Sequence, residues 1–255
     1  MCGRPKERQN EGCFCFRETS GSILWEAGSL NKTLTYQYDT GGNILSKKEY
    51  AYTTGTLGTP TKTVNYSYDD ENWKDKLTAY DGKTITYDEI GNPLTYDGYT
   101  YTWEGGRRLK GITGNNNTIS YKYNDEGIRT EKTVNGVITT YILNGDSVLL
   151  ETTGDEKIHY TYDSSSNLIS MNIISSSDPS INGEYYYIRN LQGDIIGLID
   201  KNGNEVVSYT YDTWGKLVYI EGSLKGHCIG RFYFISRKPI FLFLINIVIL
   251  MLQPI

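Results

Sequence analysis

The sequence predicts an all-β chain in which repeated antiparallel β-hairpins join into an extended, curved sheet. Three observations carry this reading. Tyr counts 23 against Phe 6, and Gly 27 against Pro 6, a balance of strand and turn formers that argues against helical bundles. The pattern Tyr-x-Tyr-Asp/Asn recurs through the middle of the chain. Six Asn-Gly or Asp-Gly pairs punctuate it, and this dipeptide between β-forming runs is the strongest short-range hairpin signal.

Composition divides the 255 residues into three zones. Residues 1–30 have no sustained period and are expected to be an irregular N-terminal segment. Basic residues between Met1 and Arg8 are followed by no apolar run, so no secretory signal is read there. Cys13 and Cys15 stand one residue apart without a second pair of ligands, which disfavours zinc; the other cysteines are Cys2 and Cys228.

Residues 31–224 form the repeat zone. Its signature stands at Tyr36-Gln37-Tyr38-Asp39, Tyr66-Ser67-Tyr68-Asp69, Tyr121-Lys122-Tyr123-Asn124, Tyr160-Thr161-Tyr162-Asp163 and Tyr209-Thr210-Tyr211-Asp212. Weaker copies are Ile85-Thr86-Tyr87-Asp88, Tyr101-Thr102-Trp103-Glu104 and the stretch from Tyr187 to Ile195. Steps from acid to acid of 30, 19, 16, 20, 39 and 49 residues give a period near 20 with insertions.

Within each unit, strand alternation puts the two tyrosines on one face, each burying a ring while its hydroxyl stays at a wet edge. The acid ends the strand, and its carboxylate accepts from backbone N–H groups two or three residues on. A Gly beyond it supplies positive φ, and an aliphatic residue opens the returning strand. The second turn of a unit falls at Asp81-Gly82, Asp97-Gly98, Asn135-Gly136, Asn144-Gly145, Asn182-Gly183 or Asn202-Gly203. Strands are thus expected at 83–87, 93–96 and 99–103, and at 129–134 and 137–143 around Asn135-Gly136. One two-stranded unit cannot bury its tyrosine face alone, so units stack edge to edge. Thr53–Thr63, Ser164–Ser166 and Ser175–Ser180 read as surface loops.

Residues 225–255 are a hydrophobic C-terminal tail. Ile240–Leu252 is apolar except for Asn246, and at 13 residues it is shorter than the roughly 17–25 that span a bilayer. A membrane anchor flanked by Arg237 and Lys238 is one reading. A tail that does not belong to the repeat fold is favoured, because the Tyr-Gly-Thr composition stops within a few residues of Lys225.

These residues resemble the YD-repeat, or RHS-repeat, family of surface and secreted proteins, over about residues 31–224. The stretch from Tyr187 to Asp200, with Tyr209 to Lys216 after it, is similar to the segment that precedes the family's core-associated region. The resemblance implies a β-sheet that spirals into a hollow shell. In bacterial members, including wall-associated polymorphic toxins, the shell encloses a C-terminal toxin domain; animal adhesion receptors have a similar shell. It therefore implies a cell-surface or extracellular location. Its implied partners are the remainder of a larger shell or an encapsulated toxin. Gly230-Arg231-Phe232 echoes the end of the family's self-cleavage motif, but no Asp-Pro precedes it, so self-cleavage is not carried over and the chain looks like a fragment.

Other chemistries are weighed against this. The acids Asp39, Asp69, Asp88, Asp163 and Asp212 recur regularly, as turn stabilisers do; a catalytic carboxylate pair needs contrasting environments. Asp200-Lys201-Asn202-Gly203-Asn204-Glu205 has calcium-loop flavour, but its Gly sits at position 4 and Tyr211 stands at position 12. Gly82-Lys83-Thr84 lacks the earlier Gly of a phosphate loop, and His159 lies in a strand without a nucleophile motif nearby. A net charge of −5 disfavours general binding to nucleic acid. The favoured reading is a structural repeat segment with no enzymatic activity, no cofactor and no metal. The alternative is a carbohydrate- or surface-binding adhesion module using exposed Tyr and Trp.

Overall fold

The computed structural model describes residues 14–19, 22–27, 32–53, 55–211 and 217–228. Asp212, Trp214, the Gly230-Arg231-Phe232 tripeptide and the 240–252 run lie outside them. Two compact units divide the chain, Met1–Tyr101 and Thr102–Ile255.

Unit one holds β1 (Phe14–Thr19), β2 (Ser22–Ala27), β3 (Lys32–Tyr38), β4 (Ile44–Ala51), β5 (Lys62–Ser67), β6 (Ala79–Tyr80), β7 (Lys83–Thr84), β8 (Thr86–Tyr87), β9 (Pro93–Tyr96) and the start of β10 (Tyr99–Glu104). Unit two continues with β11 (Arg108–Gly114), β12 (Asn117–Tyr123), β13 (Arg129–Val134), β14 (Val137–Asn144), β15 (Ser147–Thr153) and β16 (Glu156–Tyr162). It then holds β17 (Leu168–Ile174), a single 3-10 turn (Pro179–Ile181), β18 (Gly183–Arg189), β19 (Ile195–Asp200), β20 (Glu205–Tyr211), β21 (Leu217–Glu221) and a four-residue helix α1 (Lys225–Cys228). The described chain is therefore nearly all β, as expected. Strand order follows chain order throughout, in a seven-stranded sheet β1–β7 and a fourteen-stranded sheet β8–β21.

Two expectations change. The segment taken as irregular contains β1 and β2, paired antiparallel from Phe14↔Ala27 to Thr19↔Ser22, and β2 pairs β3 in turn. No tyrosine stands in residues 1–30, so the Tyr-x-Tyr signature that marks the repeats is absent there. The strand expected at 83–87 is split: the N–H of Ile85 donates to the carbonyl of Thr78 at 2.8 Å, and its side chain is buried. An inward-turned residue leaves the ladder between β7 and β8, and the first sheet ends there.

Alternation sets the core of unit two. Along β16, Ile158 and Tyr160 are buried while Lys157, His159 and Thr161 are exposed. Ile158 faces Ile173, and Leu198 faces Val207, and these four are among the most completely buried side chains. Each such burial contributes about 1.5–3 kcal/mol. In unit one Leu34, Tyr36, Val64, Tyr96 and Tyr101 are buried in the same way.

The short hairpins sort by backbone sign. Asp81-Gly82, Asp97-Gly98 and Asn135-Gly136 have positive φ at both residues, the type I′ turn that the dipeptide predicts. Asn115-Asn116 forms the same turn with φ of 48° and 63° and no glycine, so no Asn-Gly or Asp-Gly pair marks it. Asn144-Gly145 is out of register: Asn144 pairs with Ser147, and the loop is Gly145-Asp146. Gly there takes the first central position, as in a type II′ turn. Gly154-Asp155 between β15 and β16 repeats that arrangement. Asn182-Gly183 and Asn202-Gly203 are not two-residue turns. The first closes the 3-10 turn, and the second belongs to a longer loop opened by Asp200.

Candidate functional site: the repeat turns and the tyrosine face

The acid of the repeat opens a loop of fixed geometry. The Asp39 N–H donates to the Asn43 carbonyl at 2.9 Å, and the Gly42 N–H donates back to the Asp39 carbonyl at 3.2 Å. Asp39 Oδ1 accepts from the N–H groups of Gly41 and Asn43, both at 2.8 Å, and Oδ2 accepts the Asn43 side-chain amide at 2.8 Å. Acceptance therefore falls two and four residues on, rather than two or three. The same three bonds recur at Asp88 with Ile90 and Asn92, at Asp163 with Ser165 and Asn167, and at Asp200 with Asn202 and Asn204. Asn124 Oδ1 accepts from the Ile128 N–H at 2.8 Å. At Asn190 the partners are exchanged: its amide donates to Asp194 Oδ2 at 3.0 Å, so the carboxylate moves four residues along and the loop is kept.

The fourth residue of these loops is left-handed, with φ of 88°, 87°, 80°, 86° and 83° at Gly42, Gly91, Gly127, Gly193 and Gly203. Glycine takes that conformation without steric cost. At the sixth loop Ser166 takes it, with φ of 62°. These bonds hold the carboxyls of Asp39, Asp163 and Asp200 below their usual range, the Asn side-chain amide contributing most. At Asp88 desolvation pushes upward, but the bonds from Asn92, Ile90 and Gly91 outweigh it and the net shift is down.

Asp69 stands apart. It exchanges bonds with Thr78, whose hydroxyl is 3.0 Å from the Asp69 N–H and 3.2 Å from its Oδ2. Asp70 opens the following segment instead, accepting from the N–H groups of Asn72 and Trp73 and from Lys76 Nζ at 2.7 Å. Lys76 is the first cause that lowers the Asp70 carboxyl to about 2.

The strand tyrosines divide by position. Tyr36, Tyr121, Tyr160 and Tyr209, first of their pairs, are buried, while Tyr66 is half-buried. Tyr38, Tyr68, Tyr87, Tyr123, Tyr162 and Tyr211, second of theirs, are half-buried. The expected wet edge is corrected for three of these hydroxyls. Tyr87 donates to the Leu77 carbonyl at 2.6 Å, Tyr123 to Leu109 at 2.7 Å and Tyr162 to Val148 at 2.9 Å. A half-buried phenol beside a free backbone carbonyl satisfies both groups at once. Burial pushes the phenols of Tyr87 and Tyr121 up to about 12, and those of Tyr66, Tyr123 and Tyr162 also upward. Arg129 lies over the Tyr121 ring at 4.1 Å.

At the repeat loops the ladder slips by one residue, between Gln37 and Tyr38, Thr86 and Tyr87, Lys122 and Tyr123, Thr161 and Tyr162, Ile188 and Arg189, Leu198 and Ile199, and Thr210 and Tyr211. Each slip is a β-bulge, with one extra residue in the returning strand. The extra residues are Leu45, Leu94, Thr130, Ile169, Ile196, Val206 and Val218; Leu45, Leu94, Ile169 and Val218 are exposed aliphatics, while Thr130, Ile196 and Val206 are half-buried.

The remaining candidates resolve into hairpins. Asp200 to Glu205 is one of the repeat loops. Gly82-Lys83-Thr84 is a hairpin whose Lys83 pairs with Asp97 at 2.6 Å. His159 is exposed on β16. Among the described residues, no group of three or more His, Cys, Asp or Glu is placed to hold a metal ion. Sequence reasoning missed a clasp. The Asp155 carboxylate accepts from the N–H groups of Ser176 and Ser177 at 2.8 and 2.6 Å, and from their hydroxyls at 2.7 and 3.0 Å. These bonds, the Ser176 hydroxyl first, hold it well below the usual carboxylate range. The serine run had read only as a surface loop.

No family model matches the chain. The tRNA3(Ser)-specific nuclease WapA of Bacillus spizizenii is 34% identical over 209 residues, which are 79% of this chain and 8% of that protein. The tRNA nuclease WapA of Bacillus subtilis strain 168 is 34% identical over 208 residues, with the same shares. Among solved structures, TcdB2–TccC3 without its hypervariable C-terminal region matches with a TM-score of 0.43 and 17% identity over 80% of this chain and 14% of that one. The Tc holotoxin pore of Photorhabdus luminescens matches with a TM-score of 0.38 and 14% identity over 81% and 14%. Overlaps this loose add nothing to fold or function. The exclusion of an enzyme is overturned, because the curated relatives carry the names of tRNA nucleases. That exclusion rested on side chains in a stretch spanning 8% of those proteins, and the charge argument against nucleic acid has the same reach. Over about four fifths of its length, then, this β-repeat chain is similar to a segment of the Bacillus tRNA nucleases named WapA.

Proposed function

We propose that the chain is a segment of the β-repeat wall of an RHS/YD-type, wall-associated nuclease toxin. In this reading residues 31–224 are the repeat region, and the paired tyrosines, turn acids and glycines are its structural motif. Neighbouring repeats extend the wall on both sides, and the partner is the remainder of the shell with the toxin domain it houses, at the cell surface or outside the cell. Nucleolytic action on tRNA belongs to the whole protein, as the relatives' names indicate. The carrying observation is one loop geometry built six times from an Asp or Asn, a left-handed fourth residue and a bonded fifth. A sugar-binding face is less well supported, because the repeat tyrosines are buried or half-buried and three hydroxyls are spent on backbone carbonyls.

The test uses the complete parent protein with Gly193→Val and Gly203→Val, which place a β-branched residue at φ of 86° and 83°. Opening the wall is expected to expose the C-terminal domain to protease while that domain still cleaves tRNA. If hydrogen exchange reports the segment unfolded and protease sensitivity is unchanged, the wall reading fails.

A further inference from the structure

The structure assigns Asn144 as the principal site of spontaneous deamidation among the described Asn-Gly pairs. Four such pairs occur: Asn135-Gly136, Asn144-Gly145, Asn182-Gly183 and Asn202-Gly203. Their sequences give them equal susceptibility, since glycine's missing Cβ lets its backbone nitrogen approach the preceding carboxamide in each. Their surroundings separate them.

The Asn135 carboxamide is held at both ends: Oδ1 accepts from the Thr118 N–H at 2.8 Å, and Nδ2 donates to Asn117 Oδ1 at 3.1 Å. Asn182 is clamped likewise, accepting from the Ser175 N–H at 2.6 Å and donating to the Ser175 carbonyl at 3.0 Å. Asn202 has a single engagement, with the Asp200 carboxylate. Asn144 is exposed, and its carboxamide meets no partner among the described residues. Gly145 after it lies in the turn, at φ of 59°, with nothing within 4 Å of the place a Cβ would take.

The reaction needs only water. The backbone nitrogen of Gly145 attacks Cγ of Asn144, and a C–N bond forms. The side-chain nitrogen leaves as ammonia, carrying the proton lost by the Gly145 amide, and a succinimide ring remains. Water then opens the ring at either carbonyl, leaving aspartate or isoaspartate. Either product adds a negative charge two residues from the turn's Asp146, and isoaspartate inserts a methylene into the backbone where Asn144 pairs with Ser147. The hairpin joining β14 and β15 is thus the one this chemistry loosens.

The experiment is peptide mapping by mass spectrometry of the full chain, aged in mildly alkaline buffer, folded and in denaturant. In denaturant the four sites are expected to convert at similar rates. In the folded chain Asn144 is expected to lead Asn135 and Asn182 by at least about tenfold, because each of those must first release two hydrogen bonds, with Asn202 between. An Asn144→Ser chain removes the leading site and leaves the order of the other three unchanged. Equal rates in the folded chain, or Asn135 or Asn182 converting ahead of Asn144, overturns the assignment.

Discussion

Ser166 is the residue that shows what the fourth loop position demands. Five loops place glycine there, and this one holds a Cβ at φ of 62°. Ser166→Gly is expected to stabilise the chain by up to about 1 kcal/mol, since left-handed strain of 1–3 kcal/mol is relieved against glycine's greater chain entropy. A rise in the denaturant midpoint at unchanged slope measures it. The reverse change, Gly91→Ala, is expected to destabilise more strongly, because an added Cβ would also come within 2.8 Å of the Trp73 ring. The acid and the glycine were legible in the sequence. The Asn four residues on was not, because it recurs as Asn43, Asn92, Asn167 and Asn204 but is Ile128 and Asp194 in the other two loops. The exchange of roles between Asn190 and Asp194 shows that the side-chain bond, rather than the residue type, is what recurs in five of the six loops.

At the scale of the strand, the second tyrosine is a stitch between neighbours. Tyr123 lies on β12 and its acceptor Leu109 on β11; Tyr162 lies on β16 and Val148 on β15. Tyr123→Phe and Tyr162→Phe are each expected to cost about 1 kcal/mol, the net contribution of a typical intramolecular hydrogen bond. Tyr68→Phe is the comparison, with no hydroxyl bond among the described residues, and little change is expected in chemical denaturation of that variant. Most strands could be read from alternation: β9 and β13 begin and end where the pattern places them. The turns were less legible, because a dipeptide marks where the chain reverses without fixing which residues face each other. Asn144-Gly145 shows this, since pairing of Asn144 with Ser147 moves the loop by one. Register is decided by which side chains reach the core, here Tyr141 and Val148, and that is a property of the sheet.

For the molecule, the lowered carboxyls add up to a dependence on acidity. Asp39, Asp88, Asp163, Asp200 and Asp155 all have their folded value below the ordinary one. A carboxyl depressed in the folded state contributes stability that is fully present above its unfolded value of about 3.9 and is lost as pH falls through the folded value. Stability is therefore expected to be flat with respect to these groups near neutrality and to fall steeply below about pH 4. Asp163→Asn is expected to shallow that fall, and urea unfolding across acidic pH measures both. Sequence made the turn acids visible, but not Asp155, whose partners lie 21 and 22 residues away and meet it only once β15, β16 and β17 are paired.

The slipped ladder leaves a chemical residue on the surface. Four of the bulges leave an aliphatic side chain exposed, with Leu45, Leu94, Ile169 and Val218 at 36%, 36%, 43% and 38%. Repetition thus leaves greasy studs on the sheet faces, beside other exposed aliphatics such as Val137, Ile138 and Ile142, the kind of surface that makes β-proteins stick to one another. The repeat at Thr130 already carries the remedy. Replacing the four aliphatics by threonine keeps β-branching or strand preference, and should raise the concentration at which the chain stays in solution without lowering its melting temperature.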